Sequence, residues 1–80
     1  MIDERALKYT VFFEPAVEGG FIAHVPTLPG LVTQAETLDE AKAMVRDAIK
    51  GYLSVMVEDG EEIPVEPAET EISQVKVLVS

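Results

Sequence analysis

The side chains able to do chemistry in this sequence are a set of carboxylates and one histidine. Glu14, Glu18, Glu36, Asp39 and Glu40 surround two short apolar runs, and His24 lies inside the first of these runs. Carboxylates converging on two cations about 4 Å apart would make a metal-dependent nuclease. A histidine held by a carboxylate beside a nucleophile would make a hydrolase. Placement argues against both. The centres of the apolar runs carry no acid, and neither Ser nor Cys accompanies His24 between Phe21 and Val25. One histidine without any cysteine makes no ordinary zinc site. There is no phosphate-cradling glycine loop and no dinucleotide fingerprint. We therefore expect no catalytic residue, no metal and no cofactor, and read the chain as a binding protein.

The elements that position these groups follow from pattern. From Leu7 to Glu14, Leu7, Tyr9, Val11 and Phe13 alternate with Lys8, Thr10, Phe12 and Glu14, which predicts a strand. Gly19-Gly20 supplies the positive φ values of a tight turn into a second strand, Phe21 to Val25. The Pro26–Gly30 stretch reads as a connection to a third strand, Leu31 to Glu36. Thr37 is an N-cap, with Glu40 placed for a capping box. Beyond it Leu38, Ala41, Val45, Ala48, Tyr52 and Met56 recur at helical steps, predicting a helix from Leu38 to Val57 that stops at Gly60. Gly51 interrupts this helix, which suggests a close approach to a strand. Residues 60–71 form a polar Pro/Glu connector, and Ile72–Val79 is predicted to be a last strand with Val75, Val77 and Val79 on one side.

This order predicts an α+β fold of βββαβ type, a single domain over residues 1–80. Three strands form an antiparallel meander. A right-handed crossover brings the fourth strand parallel to the first, in spatial order 3-2-1-4, with the helix on one face. The arrangement resembles a truncated ribonuclease-H-type fold. It gathers Glu14, Glu18, Glu36 and Asp39 at one end of the sheet. Acids favour turns and helix N-termini in any case; for the remainder of the cluster we expect a partner-docking role. The helix should cover Tyr9, Val11 and Phe13. The alternate positions Phe12, Ile22, Val32 and Leu78 are apolar too, and should form a second face buried by self-association, as a homodimer or a larger assembly of dimers.

Size and charge set the remaining bounds. An 80-residue chain buries only about 60% of its unfolded surface, so association is a natural source of extra stability. With no cysteine there is no disulfide to help. The formal charge is −9, and residues 58–71 hold seven of the fifteen acids and no base. Binding nucleic acid directly requires Lys and Arg to displace phosphate counterions, so this balance argues against it and suits a basic protein partner. No apolar run approaches a membrane span, and MIDERALKYT lacks the apolar core of a signal peptide, so the cytoplasm is the expected location.

The run GGFIAHVPTLPGLVTQAETLDEA from Gly19 to Ala41 carries a further implication. A double glycine, a P-x-x-P-G linker, G-x-x-T-Q and a T-L-x-E-A helix start, in that order, resemble the HicB family, the antitoxin halves of bacterial toxin–antitoxin pairs. The resemblance extends from about Lys8 to Pro64. The position after Gly30, often Cys in the family, is Leu31 here. The resemblance implies the ribonuclease-H-like fold and a partner: a small, basic, HicA-type RNA-cleaving toxin, whose RNA-binding face the antitoxin occludes. Family members commonly append a DNA-binding domain after the last strand; with the sequence ending at Ser80, none is expected. A stand-alone interaction or scaffold domain and a ribonuclease-H-like enzyme are the rival readings.

Overall fold

The computed structural model describes residues 7–79. Three strands, β1 (Phe12–Pro15), β2 (Phe21–His24) and β3 (Val32–Ala35), precede one helix, α1 (Leu38–Glu58). The strands form the expected antiparallel meander in the order β1-β2-β3. Register places Phe13 opposite Ala23 and Ala23 opposite Thr33, on the face that meets the helix. Each strand is shorter than the alternation predicts. In β1 the alternation nevertheless extends upstream in packing: Tyr9 and Val11 join Phe13 against the core while Lys8 and Phe12 are exposed.

The β1–β2 turn depends on glycine. Ala16 N–H donates to Gly20 O at 3.0 Å, and Gly19 N–H donates to Ala16 O at 3.0 Å. Gly20 has φ 80, and a Cβ there would strike the carbonyl oxygen of Ala35 and lie 3.1 Å from Glu36 Cα. Gly20 thus allows the turn to lie against the end of β3, which a side chain would prevent.

Helix α1 begins and ends as its sequence signals require. Thr37 is extended (φ −125, ψ 161), and its hydroxyl accepts the Glu40 N–H at 3.1 Å. At the other end Gly60 (φ 75) donates to Val57 O at 3.1 Å and Glu61 donates to Met56 O at 2.9 Å. These paired bonds are a Schellman motif, which uses carbonyls the helix cannot satisfy itself. Ala41 and Val45 are buried, and Ile49, Tyr52 and Leu53 pack at the core's margin. Gly51 corrects an expectation. A Cβ there would meet nothing within 4 Å, so no strand approaches it.

The core consists of Ala23, Val25, Leu28, Ala41 and Val45. Leu28 comes from the stretch read as a connection. It is fully buried and is the largest side chain so buried among the described residues. Leu28 N–H donates to Val25 O at 3.0 Å and Leu31 N–H donates to Leu28 O at 3.1 Å, so two successive turns fold the leucine inward while Pro26 and Pro29 stay exposed. Tyr52 of α1 donates its hydroxyl to Pro29 O at 3.0 Å and ties the helix to this loop. Under α1, the Thr33 hydroxyl is buried and has no hydrogen-bond partner.

The expected fourth strand is not formed. Residues 72–79 have no strand assignment and take no part in the sheet, which among the described residues contains only β1, β2 and β3. Val75 is 81% exposed and Leu78 91%. Alternating valines supply a strand's side-chain pattern, but a strand also needs an edge to pair with, and among the described residues this segment pairs with none.

Candidate partner-binding site

The four acids expected to dock a partner separate into groups. The β1–β2 turn carries Glu18 and the end of β3 leads into Glu36, and the close approach at Gly20 brings these segments together. Glu18, Gly19, Gly20, Gln34, Ala35 and Glu36 line one shallow depression of about 600 Å³. No cation lines it, and both carboxylates are exposed. Asp39, also exposed, stands three residues beyond Glu36 in the first turn of α1, where the helix dipole favours an anion.

Glu14 is engaged elsewhere. Register puts Glu14 opposite Ile22 and Phe12 opposite His24, so all four share the sheet face turned away from α1. Across that face Glu14 Oε1 lies 3.4 Å from His24 Nε2. His24 therefore sits between Phe12 of β1 and Val32 of β3, in a cross-strand row, with no Ser or Thr beside it to activate. Phe12 (48% exposed), Ile22 and Val32 (54%) do form one outer face, as the alternation implies. Leu78 does not join them, because its segment is outside the sheet. Among the described residues no cluster of His, Cys, Asp and Glu could hold a metal ion, and no helix is long and apolar enough to cross a membrane.

One polar constellation is not evident from sequence patterns. Glu66 of the connector accepts three hydrogen bonds: from Thr10 N–H at 2.7 Å, from the Thr10 hydroxyl at 2.6 Å and from the Thr27 hydroxyl at 2.8 Å. Two residues earlier Pro64 O accepts the Tyr9 hydroxyl at 2.6 Å. The Thr10 hydroxyl, then the Thr10 N–H and the Thr27 hydroxyl hold the Glu66 carboxyl below the ordinary glutamate range, outweighing the opposing effect of desolvation. The clamp binds the returning chain to the upstream side of β1. Its only sequence signal was a lone glutamate between prolines, in a stretch already rich in acids.

The geometry presents acids and apolar side chains outward. Residues 9–77 match a family described as the HicB-like antitoxin of bacterial toxin–antitoxin systems. The chain belongs to the HicB-like antitoxin family. It is 43% identical over 65 residues to a protein of Archaeoglobus fulgidus named UPF0150 protein, covering 79% of this chain and 94% of that one. It is also 36% identical over 58 residues to Antitoxin HicB of Escherichia coli K12, covering 72% of this chain and 42% of that one. Antitoxin HicB 1 of Photorhabdus laumondii is 37% identical over 60 residues, covering 75% of this chain and 39% of the relative. The HicB-like chain thus spans about two-fifths of the length of the relatives named antitoxin, and nearly all of the length of the UPF0150 protein. The match takes in the Gly19–Ala41 run, the Glu18–Glu36 depression, the Glu66 clamp and most of the exposed C-terminal segment.

Proposed function

We propose that this HicB-like chain is an antitoxin-type binding protein, acting as a single domain in the cytoplasm, that neutralises a small basic HicA-type ribonuclease by covering its RNA-binding face. The observation that carries this reading is the family match over residues 9–77, which includes the segments shaping the acidic edge. Glu18 and Glu36 in one depression, Asp39 beside them and Glu14 on the adjoining face offer exposed carboxylates to a cationic partner. Complementary charge of this kind raises the association rate and makes it sensitive to salt. The chain itself is assigned no catalytic role and no direct contact with nucleic acid. The βββα order supports a relation to truncated ribonuclease-H-like folds.

Self-association through the outer face belongs to the same proposal. Phe12, Ile22 and Val32 leave an apolar strip in solvent that a second face of the same kind would cover.

Co-expression with the cognate toxin tests the antitoxin reading. Growth should be rescued, and charge reversal of Glu18, Glu36 and Asp39 to Lys should slow association while circular dichroism stays unchanged. A toxin that remains lethal beside the folded chain would refute this reading. The second reading, a scaffold domain without a toxin, draws on the chain matching nearly the whole length of the UPF0150 relatives but about two-fifths of those named antitoxin. That reading gains if the chain, isolated from its host, carries partners but no ribonuclease.

A further inference from the structure

Two parts of the molecule are incomplete in complementary ways. The first is the edge of β1. Among the described residues β1 pairs with β2 alone, so its other side has no ladder. Helix α1 packs over β3 and β2. Between the helix and the β1 side runs a groove of about 960 Å³ whose lining includes Tyr9, Val11, Phe13, Ile49, Leu53 and Val57. An open strand edge beside an apolar groove is a template for one more strand. The second part is residues 72–79, with Val75 81%, Val77 72% and Val79 91% exposed on alternate positions. These valines have the period of a strand with one face meant for burial.

We propose that the groove and the free edge of β1 receive residues 72–79 of a second copy, so that two chains exchange their C-terminal strands. In trans, the exchange would restore the four-stranded order that the sequence predicts within one chain.

Several observations favour a second copy over any other occupant. Each chain carries one groove and one spare strand, so a two-fold pair satisfies both at once, with closed symmetry and equal numbers. A foreign strand in the groove would leave the chain's own valines in water. The connector also has the features of an exchange hinge. Pro64 is held by the Tyr9 hydroxyl and Glu66 by Thr10 and Thr27, and Pro67 O then accepts Thr70 N–H at 3.1 Å in a turn. Beyond this anchored and proline-stiffened turn the chain leaves its own domain. The radius of gyration, 15.1 Å, exceeds the roughly 12 Å of a compact chain this long, in keeping with a projecting arm. Eight extended residues reach about 26 Å, enough to run the length of β1 and its upstream extension. Charge agrees as well: the helix side of the groove bears Lys42, Arg46 and Lys50 against one acid, Glu58, while the arm arrives behind Glu69 and Glu71.

The alternation assigns Val75, Val77 and Val79 to the groove. Leu78 then falls on the opposite side of the added strand, the side that Phe12 occupies in β1. The self-association residue that the single chain leaves isolated would thus rejoin the outer face in the pair.

Light scattering on the full chain, without any toxin, tests the exchange separately from the antitoxin reading. Wild type should contain an even number of chains. Phe12→Asp, which removes the outer-face contact, should contain two, and Phe12→Asp combined with Val75→Asp and Val77→Asp should contain one, with unchanged helical circular dichroism. In a wild-type sample mixed from isotope-labelled and unlabelled chains, nuclear Overhauser effects should connect the Val75 and Val77 methyls with Val11 and Phe13 of the other copy. This measurement decides the matter even if the combined variant fails to fold. A wild-type monomer, single chains from Phe12→Asp alone, a combined variant that stays paired, or the same Overhauser effects arising within one chain would overturn the proposal.

Discussion

Residues 9–60 and residues 61–79 have similar raw materials and different outcomes. Both contain alternating or periodic apolar side chains, interrupted by Pro and Gly in the first region and by Pro alone in the second. In the first region each element has a partner: β2 lies between two strands, α1 covers β2 and β3, and a loop leucine seals the middle. In the second, the Tyr9 hydroxyl holds Pro64 and two threonines hold Glu66, and residues 67–79 are exposed. A helix satisfies its own hydrogen bonds, and a meander finds its neighbours through short turns. A lone strand after a twelve-residue connector must find an edge supplied from elsewhere. The difference shows that apolar alternation specifies a face to be buried and leaves open what will bury it.

The largest expected effect breaks the first region. Leu28→Ala removes the fully buried centre of the core and should cost about 2–5 kcal/mol, much of the stability of so small a domain. Urea denaturation followed by circular dichroism measures it. The same method applied to Val77→Asp at concentrations low enough for single chains should show almost no loss, which would preserve the contrast. Gly20→Ala comes next. It combines a positive φ with a clash against Ala35 O, and should cost about 2–3 kcal/mol.

The joint between the regions responds to acid. The Glu66 carboxyl lies lower in the folded chain than in the unfolded one, so its stabilising contribution is complete above the ordinary glutamate range, near pH 4.3. That contribution is lost as pH falls through the lowered folded value. The protection of the Thr10 amide relative to its intrinsic exchange rate should fall across that acid window, and Glu66→Gln should remove this pH dependence while costing about 1–2 kcal/mol at neutral pH. The smallest effect has the opposite sign. Gly51→Ala should stabilise α1 by about 1 kcal/mol, since nothing occupies the space its Cβ would enter.

Legibility in the sequence varied with the range of the interaction that decides each feature. Thr37, Gly60 and the three- and four-residue apolar steps define α1 almost to the residue, because capping and helical pairing act within one or two turns of chain. Gly19-Gly20 announces its hairpin for the same reason. The acid set was legible as residues and only partly as a site. Glu18 and Glu36 share a depression, but Glu14 lies beside His24 because the pleat sends it to the other side. Leu28 was hidden by its context: between two prolines it has no periodic partner, and only the double turn carries it inward. Glu66 was hidden in a different way, one acid among seven, distinguished by two threonines 39 and 56 positions away.

By itself, the sequence determined the three-stranded meander, the helix with its caps, the acidic balance and the ordered motif that places the chain among HicB-like antitoxins. These depend on residue type and short spacing, which a linear reading contains. Tertiary structure alone decided that the loop leucine joins the core, that the connector is clamped at the upstream side of β1, and that the final valines pair with no edge among the described residues. Those outcomes depend on which surfaces meet across tens of residues, and burial energy is set by that meeting, whatever pattern prepared either side for it.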